Sequence, residues 1–382
     1  MKKIICFIVL CAFLMQCKSE KGREGKVDFS FQRLTKDPVA GVIRSYSIVP
    51  LETTEHAYIT RIAKVAVHKD KMFILEYVGP RRNLYVFSKE GKFISELDAQ
   101  GGGPREYQSM TDFDIHPVHE YISVLDPGLR KIKNYDFNSN YIGEQAFDSW
   151  GKEFKYFFDG DNVYTVISTK ASKMTEQGNS YDIEVYNEKG ELVYSALPFQ
   201  KAVSMGAGTP TSMFRLNKAF HYRQINTNLV YSIRADTIRQ VYTLDFPYPV
   251  MPGDELENAF LKGKKIFDKY VYLVNYFESE KMILCQFTHD KKPYWGLYDK
   301  KSNQSKVFSS EIDPSCGCDG SFMVLGVWEK GFVIETDYSK ISRLLESFDP
   351  EKEKCSNPEV FDTVDKLDMT SNPILLFVEF KV

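Results

Sequence analysis

The chain has 382 residues and a formal charge of −3, from 49 Lys and Arg against 52 Asp and Glu. That balance excludes the strongly basic surface of a nucleic-acid binder, and no basic run exceeds Lys-Gly-Lys-Lys at 262–265. Aromatic residues reach 14%, with 23 Tyr and 28 Phe, which suits pleated sheets, and the length admits one large domain or two ordinary ones.

In chain order, the first element is a leader. Met1-Lys2-Lys3 precedes an apolar run from Ile4 to Met15, and Gln16 leads into Cys17. Such a run is too short to span a membrane, which takes ~20 apolar residues, and matches a cleavable signal covering residues 1–16. The segment resembles a lipobox, which implies that Cys17 becomes the first mature residue and carries lipid; Gln16 is bulkier than the residue usual at that place. Cleavage there leaves 366 residues at a charge of −5, because Lys2 and Lys3 are lost. Lys18 to Asp28, KSEKGREGKVD, is charged, Gly-containing and poor in apolar residues. It reads as a flexible tether over residues 17–28, leaving 29–382 as the folded domain.

The folded part repeats. A two-strand unit of alternating apolar residues occurs at Ile62–Leu75, Met110–Leu125, Glu153–Ile167, Ser212–Ile225, Tyr270–Phe287 and Phe322–Thr336, with polar turns such as His68-Lys69-Asp70 and Asp159-Gly160-Asp161 between the strands. Behind five of the six comes a second hairpin, the first being LYVFSKEGKFISEL, which turns at Glu90-Gly91. Phe87, Tyr135 and Tyr186 mark equivalent points spaced 48 and 51 residues apart. Four strands at that period are the signature of β-propeller blades of ~40–50 residues, so the fold class is all-β, a six-bladed propeller. The sixth unit is interrupted by helical spacing at Ile341–Phe348 and by a second helix candidate with Asn357 as N-cap and Pro358 at its first position. Ile374–Val382 then supplies its third strand and Ile43–Glu52, from the other end of the chain, its fourth, so that the ring closes and removes an exposed sheet edge. Pro252–Lys269 carries helix formers as a further short insertion, and Ala202–Thr211 is a small, flexible loop.

GGGPREY at Gly101–Tyr107, DFDI at Asp112–Ile115, the VYSI and YTLDFP pieces of the fourth unit and the closing NPILLFVEFK resemble the six-bladed β-propeller lipoproteins of Bacteroidetes, whose fold is NHL-like. The resemblance covers nearly the whole mature chain. It implies a cell-envelope protein held at the outer membrane by its lipid, with no established activity and no catalytic residues. Arg105 stands where that motif has its second glycine, which means either that the position needs no positive φ or that Arg105 is strained.

Several residues invite a chemical reading. The glycine corner precedes a strand rather than a helix, so it is not a phosphate cradle; Arg105, Glu106 and Tyr107 projecting from it are candidates for a ligand face. Cys316, Cys318 and Cys355 suggest a disulfide between Cys355 and one of the other two, with free thiols or a soft-metal site as alternatives. His116 and His119 flank a Pro117 turn and read as solvated. Glu76, Asp126 and Glu335 lie at matching strand ends and are candidates to hold calcium at a channel mouth, although strand-end carboxylates commonly just meet solvent. No other cofactor and no metal-ligand cluster is evident. The favoured function is a non-catalytic, lipid-anchored scaffold binding a protein, peptide or glycan; the alternative is a metal-dependent propeller lyase or lactonase acting in the central channel.

Overall fold

In the computed structural model, residues 25–35, 42–78, 81–147, 150–169, 181–198, 211–217, 219–261, 266–309, 323–336, 338, 366–368 and 370–382 are described. Cys17, Cys316, Cys318, Cys355, the 202–210 loop and the expected helices at 341–348 and from 357 onward lie outside them, save for the end of the second helix at Lys366 and Leu367.

Six sheets, each built on four antiparallel strands, form a six-bladed β-propeller. The chain enters through β1 (Gly25–Asp28), β2 (Leu34–Thr35) and β3 (Ile43–Pro50). Blade one is β4 (Ile62–His68), β5 (Lys71–Val78), β6 (Arg81–Ser88) and β7 (Phe93–Glu96); blade two is β8 (Asp112–Ile115), β9 (Ile122–Asp126), β10 (Lys131–Tyr135) and β11 (Tyr141–Ala146). Blade three is β12 (Gly151–Asp159), β13 (Asn162–Thr169), β14 (Tyr181–Tyr186) and β15 (Leu192–Pro198), and blade four is β16 (Met213–Arg215), β17 (Phe220–Arg223), β18 (Leu229–Ile233) and β19 (Ile238–Asp245). Blade five is β20 (Tyr272–Glu278), β21 (Met282–His289), β22 (Lys292–Asp299) and β23 (Gln304–Ser309). Blade six joins β24 (Met323–Trp328), β25 (Gly331–Thr336) and β26 (Ile374–Phe380) to β3, which pairs antiparallel with β26 from Ile374↔Pro50 to Phe380↔Ile43. The two ends of the chain therefore close the ring as expected.

Period-2 alternation gives every blade two apolar faces, and the cores lie between blades. Val86, Leu84, Phe113, Val124 and Tyr107 fill the wall between blades one and two, while Ile62, Val65, Met72, Leu325, Val333 and Phe377 fill that between six and one. The closing seam has a further clasp. Gly91 turns the outer hairpin of blade one at φ +85°, its carbonyl accepts the Glu52 N–H at 2.8 Å, and a Cβ there would sit 2.0 Å from the Pro50 carbonyl oxygen.

The predicted tether ends earlier than residue 28. Gly25–Asp28 form β1, which pairs parallel with β19 of blade four, and β2 pairs parallel with β23 of blade five. Val27 and Phe29 are fully buried, and the Phe29 ring fills the space over Gly296. Two apolar residues two apart suffice to fasten a strand onto an open edge, but they vanish in the average composition of a charged window. Blades four and five thus carry a fifth strand that the repeat did not reveal. The insertion before blade five contains helix α1 (Gly253–Leu261), whose Leu256 and Ala259 bury against Met251 and Ile266.

Candidate functional site: the central channel

The first strand of each blade is a sheet edge facing the channel. Its buried N–H groups have no ladder partner on that side, and leaving them bare is costly. Carboxylates from the preceding blade supply the acceptors. On β8, Asp112 and Asp114 lie two residues apart and so share a face; Asp112 accepts the Phe154 N–H and Asp114 the Tyr156 N–H of β12, each at 3.0 Å. One blade further on, Glu153 accepts the Ser212 N–H at 2.9 Å and the Ser212 hydroxyl at 2.6 Å, and the Thr211 hydroxyl also donates to it.

Cations alternate with these carboxylates. Lys64 on β4 pairs with Asp112 and donates to the Phe113 carbonyl at 2.8 Å. Lys155 donates to Asp114 at 3.2 Å, and Arg215 reaches the same carboxylate while its Nε donates to the Tyr156 carbonyl at 2.8 Å. Three cations face three carboxylates across blades one to four, so this belt is neutral. Blades four and five continue it: Glu278 is fully buried and takes the His221 Nδ1 at 2.9 Å, the Lys300 ammonium at 2.7 Å and the Tyr276 hydroxyl at 2.6 Å.

The electrostatics match the geometry. Burial alone would raise the Asp114 carboxyl, but Arg215, Lys155 and Lys64 overcome it and hold the group down at about 2. Glu278 likewise falls to about 2, burial being outweighed by His221 and Lys300. Burial opposes the Lys64 ammonium, yet Asp112, Glu153 and Asp114 more than offset it and its pKa is raised. Burial does prevail at Lys155, whose amine is pushed down in spite of Asp114.

Above this belt a cavity of about 1440 Å³ opens toward the turns of the inner hairpins. Its floor includes Lys64, Asp114, Lys155 and Arg215; its mouth includes Lys69, Asn217, Glu280 and Trp328; and it extends along the seam between blades six and one past Val65, Val67, Leu325 and Phe377. Among the described residues, the buried Trp328 indole N–H there has no hydrogen-bond partner. Val118 and Phe158, both about half exposed, lie at the same turn ends of blades two and three. Paired charges and an apolar wall together suit reversible binding of an amphipathic group. Among the described residues, no three His, Cys, Asp or Glu side chains converge as a metal-ligand set.

The residues singled out in the sequence fall elsewhere. Gly101–Tyr107 is the corner between blades one and two, and it folds on itself. The Glu106 carboxylate accepts the Gly103 N–H at 2.7 Å, and a Cβ at Gly101 would collide with it at 2.0 Å. Arg105 does not have a positive φ and is exposed, so its place in the motif needs no glycine; its carbonyl accepts the Tyr135 hydroxyl at 2.9 Å. Tyr107 is not on a ligand face: it is 1% exposed, inside the wall between blades one and two and edge-on to Tyr135, because its N–H and C=O are spent on the corner and its ring completes the core.

Two of the three strand-end carboxylates do not meet solvent either. Glu76 accepts the Thr60 N–H at 2.6 Å and the Asn83 amide at 3.1 Å, and Asp126 accepts the Gln108, Ser109 and Leu129 N–H groups. Both are buried and fasten the corners that lead into and out of their blades, whereas Glu335 is half-buried at the matching end of β25. His116 is buried as well. Rather than solvated, it is 6% exposed, packed between His119, Tyr121 and Tyr156, with Nδ1 accepting the Val118 and His119 N–H groups. Burial and then His119 lower its pKa to about 4.

The belt itself escaped the sequence reading. Its signal is a charged residue at an inward position of an innermost strand, in I-A-K-V, D-F-D-I, E-F-K-Y and M-F-R, a break in apolar alternation repeated in four successive units.

Fold and channel define a six-bladed propeller with a neutral, charge-laced bore. The chain belongs to the family described as a domain of unknown function, DUF4934, which matches residues 26–379. A putative exported protein from Bacteroides fragilis superposes with a TM-score of 0.72 at 16% identity, covering 94% of this chain and 100% of that one. A member of the duf4221 family from Bacteroides vulgatus superposes with a TM-score of 0.54 at 11% identity, covering 89% and 97%. No curated protein matches the sequence.

Proposed function

We propose that the protein is an exported, lipid-anchored propeller of the cell envelope, held at the outer membrane through Cys17, that binds a protein, peptide or glycan without transforming it. The observation that carries the reading is the cavity above the belt: it is large enough for a peptide side chain or a sugar, yet its floor is built of carboxylates and cations that already satisfy one another. A catalytic acid or base needs an unspent partner for substrate; here the charges fasten the ring, and the mouth supplies the contacts. Trp328 in the cavity lining, with the exposed Val118 and Phe158 at the same turn ends of blades two and three, gives the aromatic and apolar anchors that such a surface uses. The leader and the exported relative from Bacteroides fragilis support the location.

The test has two arms. Cys17→Ala should move the protein from the membrane to the soluble fraction, and retention in the membrane defeats the anchor. Ligands captured by the lipidated protein from envelope extract should bind at least ten-fold more weakly to a Phe158→Ser/Trp328→Ala variant with an unchanged melting temperature. Equal binding by that variant removes the mouth from consideration, and chemical change of a bound ligand overturns the non-catalytic reading.

A further inference from the structure

Arg223, at the end of β17, has no exposed surface, and among the described residues two of its three guanidinium nitrogens, Nε and Nη2, have no acceptor. Only Nη1 is engaged, with the Gln224 carbonyl at 3.3 Å. The alternation of β17 explains where the side chain goes. His221, two residues earlier, reaches Glu278 of blade five, so Arg223 shares that face, while Tyr222 between them turns to Asp182 of blade three. The fields acting on Arg223 come from Tyr222, Cys285, Glu153 and Tyr276. Cys285 and Tyr276 face each other across β20 and β21 of blade five, and burial raises both far above their ordinary values. Neither is an anion at neutral pH. Of the carboxylates whose charge acts on Arg223, Glu153 has its oxygens occupied by Thr211 and Ser212, and Asp182 takes the Tyr222 hydroxyl.

A guanidinium does not shed its proton in a protein, and a buried charge without a partner is expensive. We propose that Arg223 is the core of a binding site for a small monovalent anion, a halide or an ion of similar size, held between blades four and five by Nε–H and Nη2–H. The pair of donors on one edge of the guanidinium grips one anion in a forked geometry, and the aromatic and thiol neighbours exclude water around it. Such an ion neutralises a buried cation whose Nε and Nη2, among the described residues, no carboxylate bonds, and it locks blade four to blade five at the level where Tyr276 and Glu278 complete their own bonds. This site is separate from the ligand mouth, and its failure leaves that reading intact.

The probes are sodium chloride, sodium bromide and, as an anion too large for the site, sodium gluconate, compared at constant ionic strength on the full mature chain. Chloride and bromide should raise the melting temperature by about 2 °C or more at a hundredfold excess over the dissociation constant, and gluconate should not. The 35Cl resonance should broaden with protein and sharpen again when bromide is added. Arg223→Met, which keeps the length of the side chain and removes the charge, should abolish both responses. Identical melting curves in chloride and gluconate, or a chloride response that persists in R223M, overturn the proposal. If R223M fails to fold, the wild-type melting curves and line widths decide alone, because a flat result in both is incompatible with the site.

Discussion

The ring is fastened in two different ways. From blade one round to blade five the channel wall is charged: Lys64, Asp112, Asp114, Glu153, Lys155 and Arg215 tie the inner strands of blades one to four together, and His221 on β17 ties blade four to Glu278 of blade five, which also holds Lys300. Between blades six and one, where the ends of the chain meet, the wall is apolar, with Val65, Met72, Leu325, Val333 and Phe377 in contact and the Gly91 clasp outside them. Directional bonds set the angle between blades that are already joined by short connections. The closing seam instead unites segments more than 250 residues apart, and apolar burial, which needs no exact mutual orientation at first encounter, is the better means of capture. The cavity lies where the two kinds of wall meet.

The largest effect should come from the closure. Deleting Ile374–Val382 strips β3 of its partner and opens the ring, so no cooperative thermal transition should remain in calorimetry. Within the belt, Asp114→Ala strands two cations and the Tyr156 N–H and should cost roughly 3–5 kcal/mol in urea unfolding. Within the seam, Leu325→Ala leaves a cavity and should cost roughly 2–5 kcal/mol. The pair separates the two walls by pH rather than by size. Asp114 and Glu278 have depressed folded-state values, so their stabilisation is complete above the ordinary carboxylate range and is lost as the pH falls toward 2. The cost of D114A should therefore shrink on acidification, while that of L325A stays constant; a constant D114A penalty between pH 7 and 3 contradicts the belt as drawn.

A smaller, opposite effect is expected at Asp182. Burial raises its carboxyl to about 6 despite the Tyr222 hydroxyl at 2.7 Å. A raised carboxyl contributes stability below the ordinary value that is lost as the pH rises through 6. Asp182→Asn keeps the acceptor for Tyr222 without the charge, and it should be the more stable form above pH 6, by roughly 2–3 kcal/mol. Arg105→Gly marks the floor of the scale. The side chain is exposed and the backbone has no positive φ, so the melting temperature should not change measurably; a loss comparable to D114A would make the corner part of the fastening.

Much of the fold was legible because a propeller writes its repeat in the chain. Alternation at Ile62–His68 or Phe332–Glu335 fixes strands, the spacing of Phe87, Tyr135 and Tyr186 fixes the period, and the orphan strand at Ile374–Phe380 requires a partner that Ile43–Pro50 supplies. The straps β1 and β2 were not legible, since Val27 and Phe29 acquire meaning only beside Gly296 and the open edges of β19 and β23. Tyr107 and His116 were misplaced for a related reason. Polar tips in a corner and a turn look solvated in one dimension, and only the neighbouring blade covers them.

The sequence by itself determined the number of blades, the order of strands and the way the ends close, because each of these depends on periods shorter than one repeat or on the count of repeats. The tertiary structure alone decided which charges meet. Asp112, Glu153 and Arg215 come from three different blades, and nothing along the chain states that one blade's carboxylate will satisfy the next blade's free N–H groups. That pairing exists because six twisted sheets arranged radially bring their inner edges together around a common axis, where an unbonded backbone group has no water to turn to.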